Sequence, residues 1–216
     1  MQAKLINDIG LLIDLDGVIY QDERIIPGAL ETLDWIRQQQ IPHLFVTNTT
    51  SRSRSTLLGK FDRFGFAAEL AELMTPIVAA KQYLASQGHR RIAAFVTPDA
   101  AREFNEVEMI PTHSQQAVDA VVIGDLGEAW NYQQLNYAFR LLMQEPRPQL
   151  IALGMTRYWR GRGGLLLDVA PFVRALECAA ACEAVVVGKP APAFFDAALS
   201  GLQCSAAQTF MIGDDI

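Results

Sequence analysis

Gly10-Leu11-Leu12-Ile13-Asp14-Leu15-Asp16-Gly17-Val18 is the stretch on which the reading of this chain turns. Gly10–Leu15 carries a strand signal. Side chains two apart on a strand share a face, so the carboxylates of Asp14 and Asp16 project together where the strand ends. Gly17 lets the backbone turn sharply beneath whatever they hold. Two close carboxylates repel, so the pair calls for a bound cation, a shared proton, or both. That is the signature of a metal-assisted site in which one acid is a nucleophile and the other a proton donor. A DxDG is equally compatible with a plain acidic turn, so the rest of the chain must decide.

Outward from that stretch, apolar runs alternate with amphipathic ones. Strand signals fall at Gly10–Leu15, His43–Thr47, Ile92–Thr97, Ala120–Ile123, Leu150–Leu153, Ala184–Val187 and Gln208–Ile212. Helical patterns lie near Ala29–Gln39, Ser53–Phe64, Pro76–Gln87, Tyr132–Leu142, Pro171–Ala181 and Ala191–Leu202. Strands alternating with helices of this length predict βαβ units and parallel sheets. Ligands in such open sheets bind beyond the carboxyl ends of the strands. Polar chemistry collects there: Thr47-Asn48-Thr49-Thr50, Gly188-Lys189-Pro190 and Gly213-Asp214-Asp215 each follow a predicted strand, and all are expected on one parallel sheet.

With 216 residues, 50% of them hydrophobic, the chain has material for one large domain or two small ones. A formal net charge of −6 provides no basic field for nucleic acid or an anionic membrane. No secretory signal and no membrane span is evident, so a cytoplasmic location is expected. Cys178 and Cys182, at i, i+4 on a predicted helix, read as small buried hydrophobes. His43, His89 and His113 lack zinc-ligand spacing.

Phosphoryl transfer needs a nucleophile, a proton donor, a divalent cation, donors for the phosphate and a fixed positive charge. Asp14 suits the nucleophile, forming an aspartyl-phosphate, and Asp16 the general acid and later the base that activates water. Thr47 and Asn48 suit phosphate binding, and Lys189 the positive charge. Asp214, with Asp14 and the Asp16 backbone carbonyl, offers hard oxygen ligands for Mg²⁺. Each piece alone has a plainer reading: TNTT as a helix N-cap, GKP as a turn, GDD as a solvated acidic turn.

DLDGVIY, VTNTT, VVGKP and MIGDD occur in the order and context of the four motifs of the haloacid dehalogenase superfamily, which the chain resembles over nearly its whole length. IPGALETL, YQQLNYAFRLL, GLLLDVAPFVRALE and VVGKPAPAFF are similar to its NagD-like branch, and within that to the phospholysine, phosphohistidine and inorganic pyrophosphate phosphatases. The resemblance implies a Rossmann-like, doubly wound parallel-sheet core over 1–75 and 185–216, with an inserted α/β cap over 76–184. It further implies that Asp14 is the nucleophile, Asp16 the acid/base, Thr47 the phosphate-binding residue, Lys189 the motif-three lysine and Asp214 the metal ligand, with Asp215 an accessory acid. The dehalogenase branch lacks the second acid, because halide departs without a proton, so Asp16 implies phosphate-ester cleavage.

A cap would exclude water and contact the leaving group. Arg157-Tyr158-Trp159-Arg160-Gly161-Arg162-Gly163-Gly164 offers three arginines for anionic groups and aromatics for stacking, and reads equally as a surface hairpin turned by its glycines. The expected partner is a small phosphorylated substrate, with no nucleic acid and no membrane; a homodimer is left open. Relatives continue beyond the fourth motif, and a final βα extension would need on the order of 30 residues. Three other readings compete: a catalytically idle or truncated binding protein, a signalling receiver domain of about 120 residues without an insert, and a flavodoxin-like cofactor binder. The last would carry Gly, Ser or Thr after its first strand in place of two carboxylates.

Overall fold

The structure, a computed structural model, describes residues 9–161 and 163–214. In chain order its elements are β1 (Gly10–Asp14), β2 (Tyr20–Gln21), β3 (Arg24–Ile25), α1 (Ala29–Gln38), β4 (His43–Val46), α2 (Arg54–Phe64), β5 (Leu73–Met74) and α3 (Pro76–Gln87). There follow β6 (Arg91–Phe95), α4 (Pro98–Ala101), β7 (Glu108–Met109), β8 (Ala120–Ile123), α5 (Tyr132–Leu142), β9 (Gln149–Ala152), β10 (Tyr158–Gly161) and β11 (Gly164–Leu167). The last are α6 (Val169–Ala180), β12 (Val185–Val186), α7 (Pro192–Leu202) and β13 (Thr209–Ile212). The chain folds into two α/β units, each built on a parallel sheet.

The first unit comprises the described part of 1–47, 54–75 and 195–216. Its four-stranded sheet has the order β13-β1-β4-β5, with every pairing parallel. The register places Ile13 opposite Ile212 on one side and Asp14 opposite Val46 on the other. Leu11, Ile13 and Leu15 alternate into a core with Phe45 and Leu73. Against it α1 sets Ala29, Leu33 and Ile36, an i, i+4, i+7 stripe. From α2 come Leu57 and Phe61, and the Phe61 ring stacks on Phe66 at 4.5 Å between centroids. Among the described residues β13 is an edge strand, and its Phe210, Met211 and Ile212 are exposed.

The second unit comprises 48–53 and 76–194. Its five-stranded sheet has the order β12-β9-β8-β6-β7 and is again wholly parallel. Val121, Ile123, Leu150 and Ala152 meet Ala138, Leu141 and Leu142 of α5, and Val173, Leu176 and Ala180 of α6. Asn131 caps α5 by accepting from Gln134 N (3.0 Å), and Asp168 caps α6 by accepting from Val169 N (2.8 Å). β10 and β11 form a separate antiparallel hairpin, with Tyr158, Trp159 and Leu165 to Leu167 all exposed. Among the described residues, no helix is long and apolar enough to cross a membrane.

Two expectations need correction. The strand before Gly188-Lys189-Pro190 does not join the sheet of β1, β4 and β13; β12 pairs with β9 and extends the second sheet. Ala184 N, donating to Glu177 Oε1 at 2.9 Å, ties the entry of that strand to α6. Gly188 permits a close pass at its exit, since a Cβ there would overlap the Leu153 carbonyl oxygen. Cys178 is exposed, because α6 buries Val173, Leu176 and Ala180 and thereby turns position 178 outward.

Candidate active site

Parallel pairing puts the carboxyl ends of β1, β4 and β13 on one edge of the first sheet. Asp14 ends β1 and is 8% exposed; its Oδ1 accepts from Leu15 N at 2.8 Å, which fixes the plane of the carboxylate. Thr47, directly after β4, is buried, and its N–H donates to Met74 O at 3.2 Å. Beyond Asp14 the backbone closes a tight turn. Leu15 O accepts from Ile19 N at 2.9 Å and Gly17 N donates to Tyr20 O at 2.8 Å, leaving Asp16 exposed. Gly17 sits at φ +78°, a conformation side chains disfavour.

The turn also needs glycine for a second reason. A Cβ on Gly17 would overlap the carboxylate of Asp214, so that carboxylate lies against the backbone of the DxDG turn. A Cβ on Gly213 would stand 3.8 Å from Asp14 Oδ2. The Asp214 carboxylate thus lies against Gly17, and the Asp14 carboxylate lies close to Gly213, the residue before Asp214. Among the described residues, no three His, Cys, Asp or Glu side chains form a metal-holding group by themselves. Two carboxylates and a backbone carbonyl are nevertheless a fitting partial set for Mg²⁺, which keeps several waters and takes one or two carboxylates plus substrate oxygens.

Asn48 and Lys189 meet in the second unit, where Asn48 Nδ2 donates to Lys189 O at 3.1 Å; Asn48 Oδ1 is buried without a hydrogen-bond partner. Arg157 and Arg160 are exposed beside and within the hairpin of the second unit, and the Arg157 guanidinium lies 5.7 Å from the Tyr158 ring centroid. Arg162 and Asp215 lie outside the described residues. Sequence reasoning missed Ser53, Thr97, Asp99 and Asp125, which anchor the segment after Thr47. Only Thr97-Pro98-Asp99 carried a local signal, that of a helix start, and Thr97 does cap α4. Burial pushes the Asp168 carboxyl above its ordinary range, and the charge of Asp125 adds to the effect, against the opposing hydrogen bond from Val169 N.

A family model described as haloacid dehalogenase-like hydrolase matches residues 11–110, and a second HAD-hydrolase-like model matches residues 186–216. Phospholysine phosphohistidine inorganic pyrophosphate phosphatase from Homo sapiens is 39% identical over 211 residues, covering 96% of this chain and 76% of that protein. The chain belongs to the haloacid dehalogenase-like hydrolases. Haloacid dehalogenase-like hydrolase domain-containing protein 2 from Mus musculus is 38% identical over 205 residues, with 95% of this chain and 76% of that protein covered. Among solved structures, p-nitrophenyl phosphatase from Archaeoglobus fulgidus shares the fold at a TM-score of 0.84 and 23% identity, covering 94% of this chain and 77% of its own. Glycerol phosphate phosphatase from Mycobacterium tuberculosis, in complex with calcium, aligns at a TM-score of 0.82 and 28% identity over 99% of this chain and 61% of its own. This hydrolase thus spans about three-quarters of the curated relatives it matches.

Proposed function

We propose that the chain is a Mg²⁺-dependent phosphatase that hydrolyses small phosphorylated compounds through an aspartyl-phosphate on Asp14. The observation that carries this reading is the Asp214 carboxylate packed against Gly17 of the DxDG turn while Asp14 lies close to Gly213, with buried Thr47 directly after the adjacent strand. An Asp14 carboxylate oxygen attacks phosphorus, an O–P bond forms, and the bond from phosphorus to the leaving oxygen or nitrogen breaks. Asp16 donates its proton to that leaving atom. Asp16 then takes a proton from water as the water attacks phosphorus, the Asp14–P bond breaks, and inorganic phosphate departs. Asp16 suits both tasks because it is exposed on the turn while Asp14 is buried.

Asp14, Asp214 and the Asp16 carbonyl would hold the Mg²⁺, which when bound offsets the charge of carboxylates and phosphate and polarises the phosphoryl group. Thr47 contributes a hydroxyl and a backbone environment for phosphate oxygens, and Asn48 follows it directly. Lys189 takes the role of fixed positive charge from its motif position. Relatives named for phospholysine, phosphohistidine and pyrophosphate make N-phosphorylated amines and pyrophosphate the first substrates to try. The test is a panel of these compounds with p-nitrophenyl phosphate, assayed with Mg²⁺ and after exhaustive chelation. Turnover lost on chelation and restored by Mg²⁺ is expected; undiminished turnover in EDTA contradicts the mechanism, and no turnover with any phosphate compound returns the chain to an idle binding protein.

A further inference from the structure

The segment 48–53 leaves β4 of the first unit, makes its contacts in the second unit, and returns to the first at α2. Asn48, Thr50, Ser51 and Ser53 are pinned by hydrogen bonds. Asn48 Nδ2 donates to Lys189 O (3.1 Å), just after β12. Thr50 Oγ1 accepts from Asp125 N (3.0 Å), just after β8. Ser51 O accepts from Thr97 Oγ1 (2.5 Å), just after β6. Ser53 N donates to Asp99 Oδ2 (2.9 Å), and Ser53 Oγ donates to Asp99 Oδ1 (3.1 Å), again after β6. The sheet order is β12-β9-β8-β6, so successive residues of the segment step across the sheet in the order of its strands. All these strands are parallel, and the anchors therefore lie on one edge, the carboxyl edge where an open α/β sheet ordinarily binds its ligand. In this unit that edge is occupied by the chain's own strap.

The far anchor is the strongest. Ser53 is 1% exposed, and its amide and hydroxyl both end on one carboxylate, a charge-assisted arrangement. The near end is Asn48, covalently attached to Thr47 and hydrogen-bonded to the backbone of Lys189. We infer that Asp99 is a positioning residue of the hydrolase: by clamping Ser53 it fixes the strap that sets Asn48 and the Lys189 loop for the phosphate. The inference rests on the phosphatase reading, because it assigns Asp99 an effect on phosphate binding.

The test compares Asp99→Ala, Asp99→Asn and Ser53→Ala with Asp119→Ala. Asp119 is a matched control on the same sheet: its carboxylate accepts from the N–H groups of Arg90 and Arg91, at the amino end of β6. For each protein, kcat and KM for p-nitrophenyl phosphate, the inhibition constant of inorganic phosphate, the Tm and hydrogen exchange of 48–53 and 187–191 are measured. Displacement of a positioning shell by about 1 Å costs up to roughly 100-fold. Asp99→Ala is therefore expected to lower kcat/KM and weaken phosphate inhibition by about 10- to 100-fold, with faster exchange in both segments. Ser53→Ala, which keeps the amide bond to Asp99, should show a smaller loss in the same direction, the double variant should be no worse than Asp99→Ala, and Asp99→Asn should fall between Asp99→Ala and wild type. Asp119→Ala should lower Tm with both kinetic constants within about twofold of wild type. Unchanged phosphate inhibition in Asp99→Ala and Ser53→Ala, with an active wild type, overturns the positioning role alone, as does equal kinetic damage from Asp119→Ala. A wild-type chain that hydrolyses no phosphate compound removes the phosphatase reading, and this role falls with it.

Discussion

Asp14 and Asp16 are two residues apart and chemically identical, yet their surroundings differ, as the proposed division of tasks requires. Asp14 is buried with Oδ1 held by the Leu15 amide, whereas Asp16 stands exposed on the turn. Asp14→Asn should abolish turnover and leave the fold intact, because an amide is a poor nucleophile and the lost charge relieves repulsion from Asp214. Asp16→Asn should cost about 10²–10⁴-fold with alkyl phosphates and much less with p-nitrophenyl phosphate, whose leaving group needs little protonation. Equal losses on both substrates would refute the acid role. Asp168 gives a second expectation at this scale. Its carboxyl is raised on folding by burial and by Asp125, so the protonated form is the one the fold favours. That contribution is complete below the ordinary value of 3.8 and is lost as pH rises through the folded value. Asp168→Asn remains a competent cap and never ionises. Its Tm relative to wild type should therefore improve between about pH 3 and pH 7; parallel Tm curves over that range would contradict the assignment.

The β10–β11 hairpin is the element whose role the fold leaves open to experiment. Its strands expose Tyr158, Trp159 and three leucines, with Arg157 and Arg160 alongside. Should it contact the leaving group, Arg157→Ala with Arg160→Ala will reorder the substrate panel while changing p-nitrophenyl phosphate hydrolysis by less than about threefold; an unchanged order leaves the stretch a surface hairpin. The regular elements were otherwise legible in the sequence, because they obey strong local rules. α3 and α5 begin and end where the periodicity places them, and β8 likewise, since Ala120–Ile123 is a short apolar run bounded by Asp119 and Gly124. The two-residue strands β2, β3, β5 and β7 left no signal, being too short for any period. Val185–Val186 announced a strand but not its sheet, because the choice between two parallel sheets is made by the contact with Ile151–Ala152, far away in sequence. For the same reason the strap was invisible: Ser53 and Asp99 are 46 residues apart and neither has a local pattern that names the other.

For the molecule as a whole, gathering carboxylates at one sheet edge predicts a stability that depends on a cation. The formal net charge is −6, and Asp14 and Asp214 add local negative charge where β1 and β13 end. A ligand that binds only the folded chain stabilises it by RT ln(1 + [L]/Kd), about 2.7 kcal/mol at a hundredfold excess over Kd. Mg²⁺ should therefore raise the Tm of the wild-type chain, and NaCl at equal ionic strength should not, because screening lacks the site's geometry. Asp14→Asn and Asp214→Asn should each raise the Tm without metal, by removing repulsion, and each shrink the Mg²⁺-induced increment. Asp215→Asn is expected to do less of both if its role is accessory. Ca²⁺ should also raise the Tm, since it too takes carboxylate oxygens, but it prefers more ligands at longer distance and would engage both oxygens of Asp14. Stabilisation by Ca²⁺ should then coincide with suppressed turnover, while Mg²⁺ gives both stability and activity. Scanning calorimetry and p-nitrophenyl phosphate assays on the same samples decide the matter. An increment for Mg²⁺ that survives intact in Asp14→Asn and Asp214→Asn would place the cation elsewhere on the chain, and Ca²⁺ supporting turnover as well as Mg²⁺ would remove the nucleophile-occupation argument.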